Sequence, residues 1–351
     1  MKSAPLTSLV LSFSLLACGG NHSAAPTVAS SPSIQVLSSD PSRVSGESTL
    51  VQVDVPAGAA APTLMVNGTA ASASLVQISA TSYQGVVTNL NVGPNTLAAT
   101  TGNSAAATLA VTDYPIAGPI FSGPHLQPWA CTTAAAGLGA ATDVNCSAPT
   151  QYFYFYMSTD PTKTSLQPYD PTAPASDVAM TTTDAGATVP FIVRNERGVI
   201  NRGVYDIALL FDPTKPWTAT SPQSGWSHKL FFRFGAGCGA SYASVANSAQ
   251  ATDNAFNALG RGFAVATSGL FVLGNQCNTI VGAETVSMVK EQLIKSYGTV
   301  RYTMVDGQSG ASIMMHLIAN SYPGLLDGLM PGPTAFPEIW SEINEAADCG
   351  A

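Results

Sequence analysis

Apolar and polar positions alternate in short runs from Ile34 to about Asp113. Leu50-Val51-Gln52-Val53-Asp54-Val55 alternates over most of its length, and Thr63-Leu64-Met65-Val66 runs into the turn pair Asn67-Gly68. Gly85-Val86-Val87, Thr96-Leu97-Ala98-Ala99 and Thr108-Leu109-Ala110-Val111-Thr112 complete the set. Short strands at regular spacing, punctuated by Gly, Pro and Asn, predict a small all-β sandwich domain over residues 34–114. It carries no evident chemistry and reads as a spacer or docking module. Pro115, Pro119, Pro124 and Pro128 then limit regular structure as far as Trp129.

Beyond this joint the pattern changes. Gln151-Tyr152-Phe153-Tyr154-Phe155-Tyr156 reads as a strand. Residues 189–194 and 203–211 read as an antiparallel pair joined through Asn195-Glu196-Arg197-Gly198 and the residues after it. From Lys229 onward strands and helices alternate: strands at 229–234, 262–267 and 302–306, helices at 284–297 and 312–320, and the start of one more strand at 325–330. The first helix follows from Val286, Val289, Leu293 and Ile294 recurring at helical spacing, and Gly298 stops it. This order predicts an α/β domain over residues 115–351, a mostly parallel sheet with helices on both faces.

The ends and the charge narrow the setting. Lys2, an apolar stretch from Ala4 to Ala17 and then Cys18-Gly19-Gly20 make residues 1–18 a secretory signal. Leu15-Leu16-Ala17-Cys18 resembles a bacterial lipobox, so Cys18 is expected to carry lipid and to anchor the exported protein in the cell envelope. Gly19 after it favours outer-membrane sorting. Residues 19–33, small, polar and proline-bearing, suit a flexible tether. Only 10% of residues are charged and the net charge is −8, which argues against nucleic acid as a partner.

Export puts the six cysteines where disulfides persist. Cys131 with Cys146 and Cys238 with Cys277 are pairs favoured by proximity, although sequence cannot fix connectivity. With Cys18 lipidated, Cys349 is left over. No CxxC or HExxH spacing supports a zinc site, and no cofactor is implied.

The chemistry concentrates in Asp306-Gly307-Gln308-Ser309-Gly310-Ala311, which lies between a predicted strand and a predicted helix. That is the setting of a nucleophile elbow, a bend so sharp that the residues two before and two after the serine must be small. Gly307 and Ala311 meet that need, with Gln308 preceding Ser309. The fold this implies is α/β-hydrolase-like. In such a fold an amide after the nucleophile and another from a loop after an earlier strand bind the oxyanion. Gly310 supplies the first, and Gly237 or Cys238, in Gly235-Ala236-Gly237-Cys238-Gly239, the second.

The run Arg301–Gly310, continued by Tyr322-Pro323-Gly324-Leu325-Leu326-Asp327-Gly328, resembles the elbow region of tannases and feruloyl esterases. Gly118-Pro119-Ile120-Phe121-Ser122-Gly123-Pro124-His125-Leu126-Gln127-Pro128-Trp129, with the Gly235–Gly239 loop, resembles a narrower group of secreted bacterial proteins related to them. The resemblance implies an exported serine hydrolase acting on carboxylic esters through an acyl-serine, with a small-molecule or polymeric ester as substrate. Aromatic or phenolic esters are favoured.

A serine nucleophile needs a histidine base and a carboxylate, which in this fold follow the serine. His316 lies only seven residues on, about 10 Å along one helix and too far for proton transfer. His228 starts its strand at the opposite end, His22 is in the tether, and His125 in the joint is the one that could in principle reach the cleft. The expectation is therefore a C-terminally truncated domain with an incomplete triad and little turnover. The alternative is a surface-anchored binding protein on a non-catalytic hydrolase scaffold.

Overall fold

The computed structural model of the protein describes residues 31–235, 237, 239, 241–244, 251–272 and 278–335. The amino-terminal strands form a four-stranded and a five-stranded sheet. Alternation along Ser48–Asp54, Ser82–Thr88 and Gly93–Thr100 turns one side of each strand into a shared core of Val51, Val53, Val87, Leu97 and Val111.

A further sheet has eight strands among the described residues: β1 (Gln151–Tyr156), β2 (Gln167–Pro168), β3 (Ile192–Ile200), β4 (Gly203–Leu210), β5 (Lys229–Arg233), β6 (Phe263–Ser268), β7 (Tyr302–Ser309) and β8 (Gly328–Ala335). Their spatial order is β2-β1-β3-β4-β6-β5-β7-β8. The four pairings from β2 through β6 are antiparallel; only β6–β5, β5–β7 and β7–β8 are parallel. Two α-helices, α1 (Thr279–Tyr297) and α2 (Gly310–Ser321), complete the described elements that matter to the site.

This corrects the expected α/β-hydrolase-like, mostly parallel sheet. The protein is mostly β, 37% strand and 15% helix, with several mixed or antiparallel sheets. The strand-helix alternation after Lys229 is present, but it accounts for three of seven pairings. Nor do the α-helices among the described residues cover both faces. Residues of α1 and α2 join one core with Leu230, Phe232, Ala264 and Val305, while Phe231, Phe263 and Val265 face a second core to which neither helix contributes.

The hairpin between β3 and β4 also turns later than its sequence implies. Asn195-Glu196-Arg197 remains in the strand, and the turn falls on Asn201-Arg202, both with positive φ (53° and 64°). A two-residue turn of that hand matches strand twist. The strand continues through polar residues because their partners are inside: Arg197 and Asn195 bond Asp206, and Glu196 accepts from Tyr205 at 2.7 Å. Helix α1 likewise begins earlier than expected, where the Asn278 side chain accepts from the amides of Ile280 and Val281.

Helix α1 is the strut of the molecule. Its Glu291 accepts from the Ser45 amide (3.0 Å) and hydroxyl (2.6 Å), and Lys295 donates to the Ser45 carbonyl at 2.7 Å, tying the amino-terminal sheets to it. Glu284 holds the proline-rich joint. One carboxylate oxygen accepts from the amides of Ile120, Phe121 and Ser122 at 2.9, 2.6 and 2.7 Å, and the other from the Ser122 hydroxyl at 2.9 Å. No helix among the described residues is long and apolar enough to cross a membrane.

Candidate active site

Strand β7 delivers Ser309 to the C-terminal end of the parallel strands, and α2 starts at the next residue. The reversal is possible because Gly307 has no side chain. A Cβ there would lie 2.5 Å from the Ala311 Cβ and 3.2 Å from Met315 Cε. Ser309 takes φ 54° and ψ −128°, a left-handed conformation that a side chain rarely adopts and that costs on the order of 1–3 kcal/mol. Its side chain is half-buried, Gln308 is exposed, and Gly310 and Ala311 are buried.

Ser309 does not cap α2 with its hydroxyl, whereas its carbonyl accepts from the Ser312 hydroxyl at 2.7 Å. The hydroxyl therefore sits beside a helix start whose first amides point outward and favour negative charge. The pairing of β7 with β8 shifts between Gly307 and Ser309, the local irregularity that lets the strand bend.

The neighbouring strand end is built to the same closeness. A side chain on Gly235 would overlap Val272. Gly237 is exposed with φ 79°, and Cys238 lies outside the described residues. The Phe234 amide donates to the Asp306 carbonyl at 3.0 Å, and Thr267 donates through its hydroxyl to the Arg233 carbonyl at 3.1 Å. Arg233 reaches Asp306 at 3.3 Å and pairs with Asp253, so one guanidinium ties β7, three residues before Ser309, to the segment that follows β5. Burial pushes the Asp306 carboxyl up, and Arg233 opposes the shift. This clamp was not legible in sequence, because its members are spread from 233 to 306 with no spacing rule.

Each of the described histidines is engaged elsewhere. No described residue bonds to the Ser309 hydroxyl. The His316 Nδ1 lies 2.6 Å from the Ser312 carbonyl within α2. At the start of β5, His228 bonds the Thr299 carbonyl at 2.9 Å and packs tilted against Trp226. His125, in the joint, lines a small pocket with Arg202 and Trp129 beside the β3–β4 turn, which abuts β6, two strands from β7. Burial, reinforced by Arg202, pulls its pKa down.

Of the cysteines, Cys131 and Cys146 form the expected disulfide. Cys18, Cys238, Cys277 and Cys349 lie outside the described residues. The joint that includes His125 runs on to bond the segment after β5: Ala130 bridges Ala243, and the Thr132 amide donates to the Ser244 hydroxyl at 2.9 Å. Joint, glycine-rich strand end and serine bend are thus parts of one edge.

A serine lifted on a strained strand-to-helix bend, at the end of the parallel strands of a mixed sheet, is the class of arrangement on view. The chain belongs to a tannase-like family of unknown function (DUF6351), whose profile matches residues 34–351. No curated protein matches it. Among solved structures it is similar to a prolyl endopeptidase (11% identity, 87% of this chain and 35% of that one, TM-score 0.24). It is also similar to oligopeptidase B from Leishmania major (10%, 82% and 26%, TM-score 0.23). A third likeness is to Dpr2 Ig1-Ig2 in complex with DIP-Theta Ig1-Ig3 (12%, 24% and 32%, TM-score 0.19). The chain spans no more than 35% of any of these three, and at such TM-scores the likenesses carry no argument.

Proposed function

We propose that the protein is an ester hydrolase in which Ser309 is the nucleophile. Membership of a tannase-like family supports a hydrolase, and the observation that carries the assignment to this residue is the positive φ of Ser309 at the β7–α2 junction. The serine oxygen attacks the acyl carbon, its proton passes to a general base, and the alcohol leaves; water then releases the acid from the acyl-serine. Negative charge on the carbonyl oxygen is met by the Gly310 amide and by that of Gly237 or Cys238. One such donor lowers the barrier by about 3 kcal/mol, because it is aimed before the charge forms. None of His125, His228 and His316 bonds the Ser309 hydroxyl, so this reading leaves the base unassigned. The same reading takes aromatic or phenolic esters as substrates, and places the protein outside the cytoplasm with lipid on Cys18. A disulfide at Cys131–Cys146 is in keeping with an oxidising compartment.

The test is covalent labelling of the purified protein by a fluorophosphonate probe. The expected result is stoichiometric labelling that disappears in Ser309→Ala, with p-nitrophenyl ester turnover disappearing alongside it. Ester turnover unchanged in Ser309→Ala would overturn the assignment. That no described residue bonds the Ser309 hydroxyl as a base favours a second reading, a binding protein on a non-catalytic scaffold. That reading requires neither labelling nor turnover in a folded wild-type protein.

A further inference from the structure

On the sheet face that α1 and α2 leave uncovered, a cavity of about 290 Å³ opens at the starting ends of β5, β6, β7 and β8. Its walls are Phe231, Phe263, Met304 and Met330, with Phe256 and Tyr302 at the sides. Phe256 stands edge-on to Phe231 with centroids 5.9 Å apart, and Phe263 does so at 6.2 Å. Burying Phe256 elsewhere would be expected of an ordinary core residue. Here it is 61% exposed and held at φ 53°, with its ring turned to the cavity wall.

The rim is polar and of one sign. Lys229 and Arg261 lie over the Phe263 ring, 5.1 and 5.5 Å from its centroid. Both bond Asp184, Lys229 at 2.8 Å and Arg261 at 3.0 and 3.1 Å. Two cations share one carboxylate, which leaves the rim a net charge of +1, and half of the Arg261 side chain faces solvent.

We propose that this cavity is a binding site for a single-ring aromatic carboxylate. A flat ring meets the phenyl edges and the two thioethers on favourable terms. A cavity of ~150 Å³ is enough for benzene, so this one holds a ring with a short linker. The linker brings the carboxylate to Lys229 and Arg261, where it supplies the second counter-charge in a partly desolvated place. A cationic or fully apolar ligand gains nothing from that rim. The site is separate from the serine: Tyr302 and Ser309 begin and end the same strand, seven residues or roughly 23 Å apart at the usual rise. The proposal therefore does not rest on Ser309 being a nucleophile.

Calorimetric titration with 3-phenylpropionate tests it, with 3-phenylpropan-1-ol as the uncharged analogue. Saturable one-to-one binding of the acid is expected, tighter than that of the alcohol and weakened by salt. Phe256→Ala is expected to weaken both ligands by about tenfold, whereas Arg261→Gln weakens the acid by about tenfold and leaves the alcohol unchanged. Both side chains are more than half exposed, so circular dichroism is expected to show the variants folded, and Ser309→Ala is expected to bind as the wild type does. Three results would overturn the proposal: no saturable binding of the acid, equal binding of acid and alcohol, or affinities indifferent to both rim and wall variants. A dimer that dissociates in Phe256→Asp, with no acid bound, would assign the face to a second copy instead.

Discussion

Polar groups are treated differently in the two halves of the eight-stranded sheet. In the antiparallel half, Glu196 accepts from Tyr205 (2.7 Å), Tyr297 (2.6 Å) and Gln292 (3.0 Å), and Asp206 is held by both Arg197 and Asn195. At the end of the parallel half, the Asp306 carboxylate has, among the described side chains, one long contact to Arg233, and the Ser309 hydroxyl is bonded to no described residue. A buried charge surrounded by donors has no capacity left for a ligand; it fixes strand order and register. An unengaged hydroxyl on a strained bend retains that capacity, and the strain persists because Gly307 and Ala311 leave no other path for the chain. The difference separates architecture from chemistry within one sheet.

The contrast is tested most severely at Glu196. Replacing it with Ala leaves the buried Tyr205 and Tyr297 hydroxyls unmatched, Gln292 keeping its bond to Ser296, and is expected to cost about 3–5 kcal/mol in chemical denaturation, while labelling of Ser309 per folded molecule stays unchanged. Loss of labelling at full folding would merge the two halves into one functional unit.

Asp113 lies between the extremes. It is buried, accepts from the Glu47 amide at 3.0 Å and has its other oxygen unpartnered. Burial raises its pKa to about 7; the bond from the Glu47 amide and Lys295 oppose the shift, and the carboxylates of Glu291 and Glu47 add to it. The folded state then keeps a proton that the unfolded chain loses near pH 4, so stability falls as pH rises from about 4 to about 7 and is level above that. The expected loss is on the order of 2 kcal/mol, and Asp113→Asn flattens the profile. An unchanged slope in that variant would place the titration elsewhere.

Gly307→Ala sharpens the contrast at the site itself. The added methyl meets Ala311 and Met315, so about 1–3 kcal/mol of stability is expected to go, as for other overpacked cores, together with fluorophosphonate labelling. Ser309→Gly gives the smallest change. It relieves the left-handed backbone and is expected to raise stability by about 1 kcal/mol, less than the full strain because glycine also frees the unfolded chain. A loss of stability there would mean that the bend is not strained.

The bend at Ser309 was legible because its requirements are local: a strand, two small residues and a helix start within a dozen positions. The Cys131–Cys146 pairing was legible for the same reason, since fifteen residues separate the partners. Sheet direction was legible only in part. The β3–β4 hairpin reads as antiparallel from sequence and is so, whereas the antiparallel β4–β6 pairing joins strands distant in sequence with nothing local to mark it. Glu284 and the joint were equally hidden, the carboxylate meeting amides 162 to 164 positions away.

By itself, then, the sequence determined the strand periodicity, the steric demand around Ser309 and the family to which the joint and bend belong. All of these depend on neighbours along the chain. Tertiary structure decided most of the strand pairings, which face of the sheet the two helices pack against, and which buried acids are satisfied. Those outcomes depend on groups that meet only after collapse, when each buried polar atom takes whichever partner the packing brings within hydrogen-bonding distance.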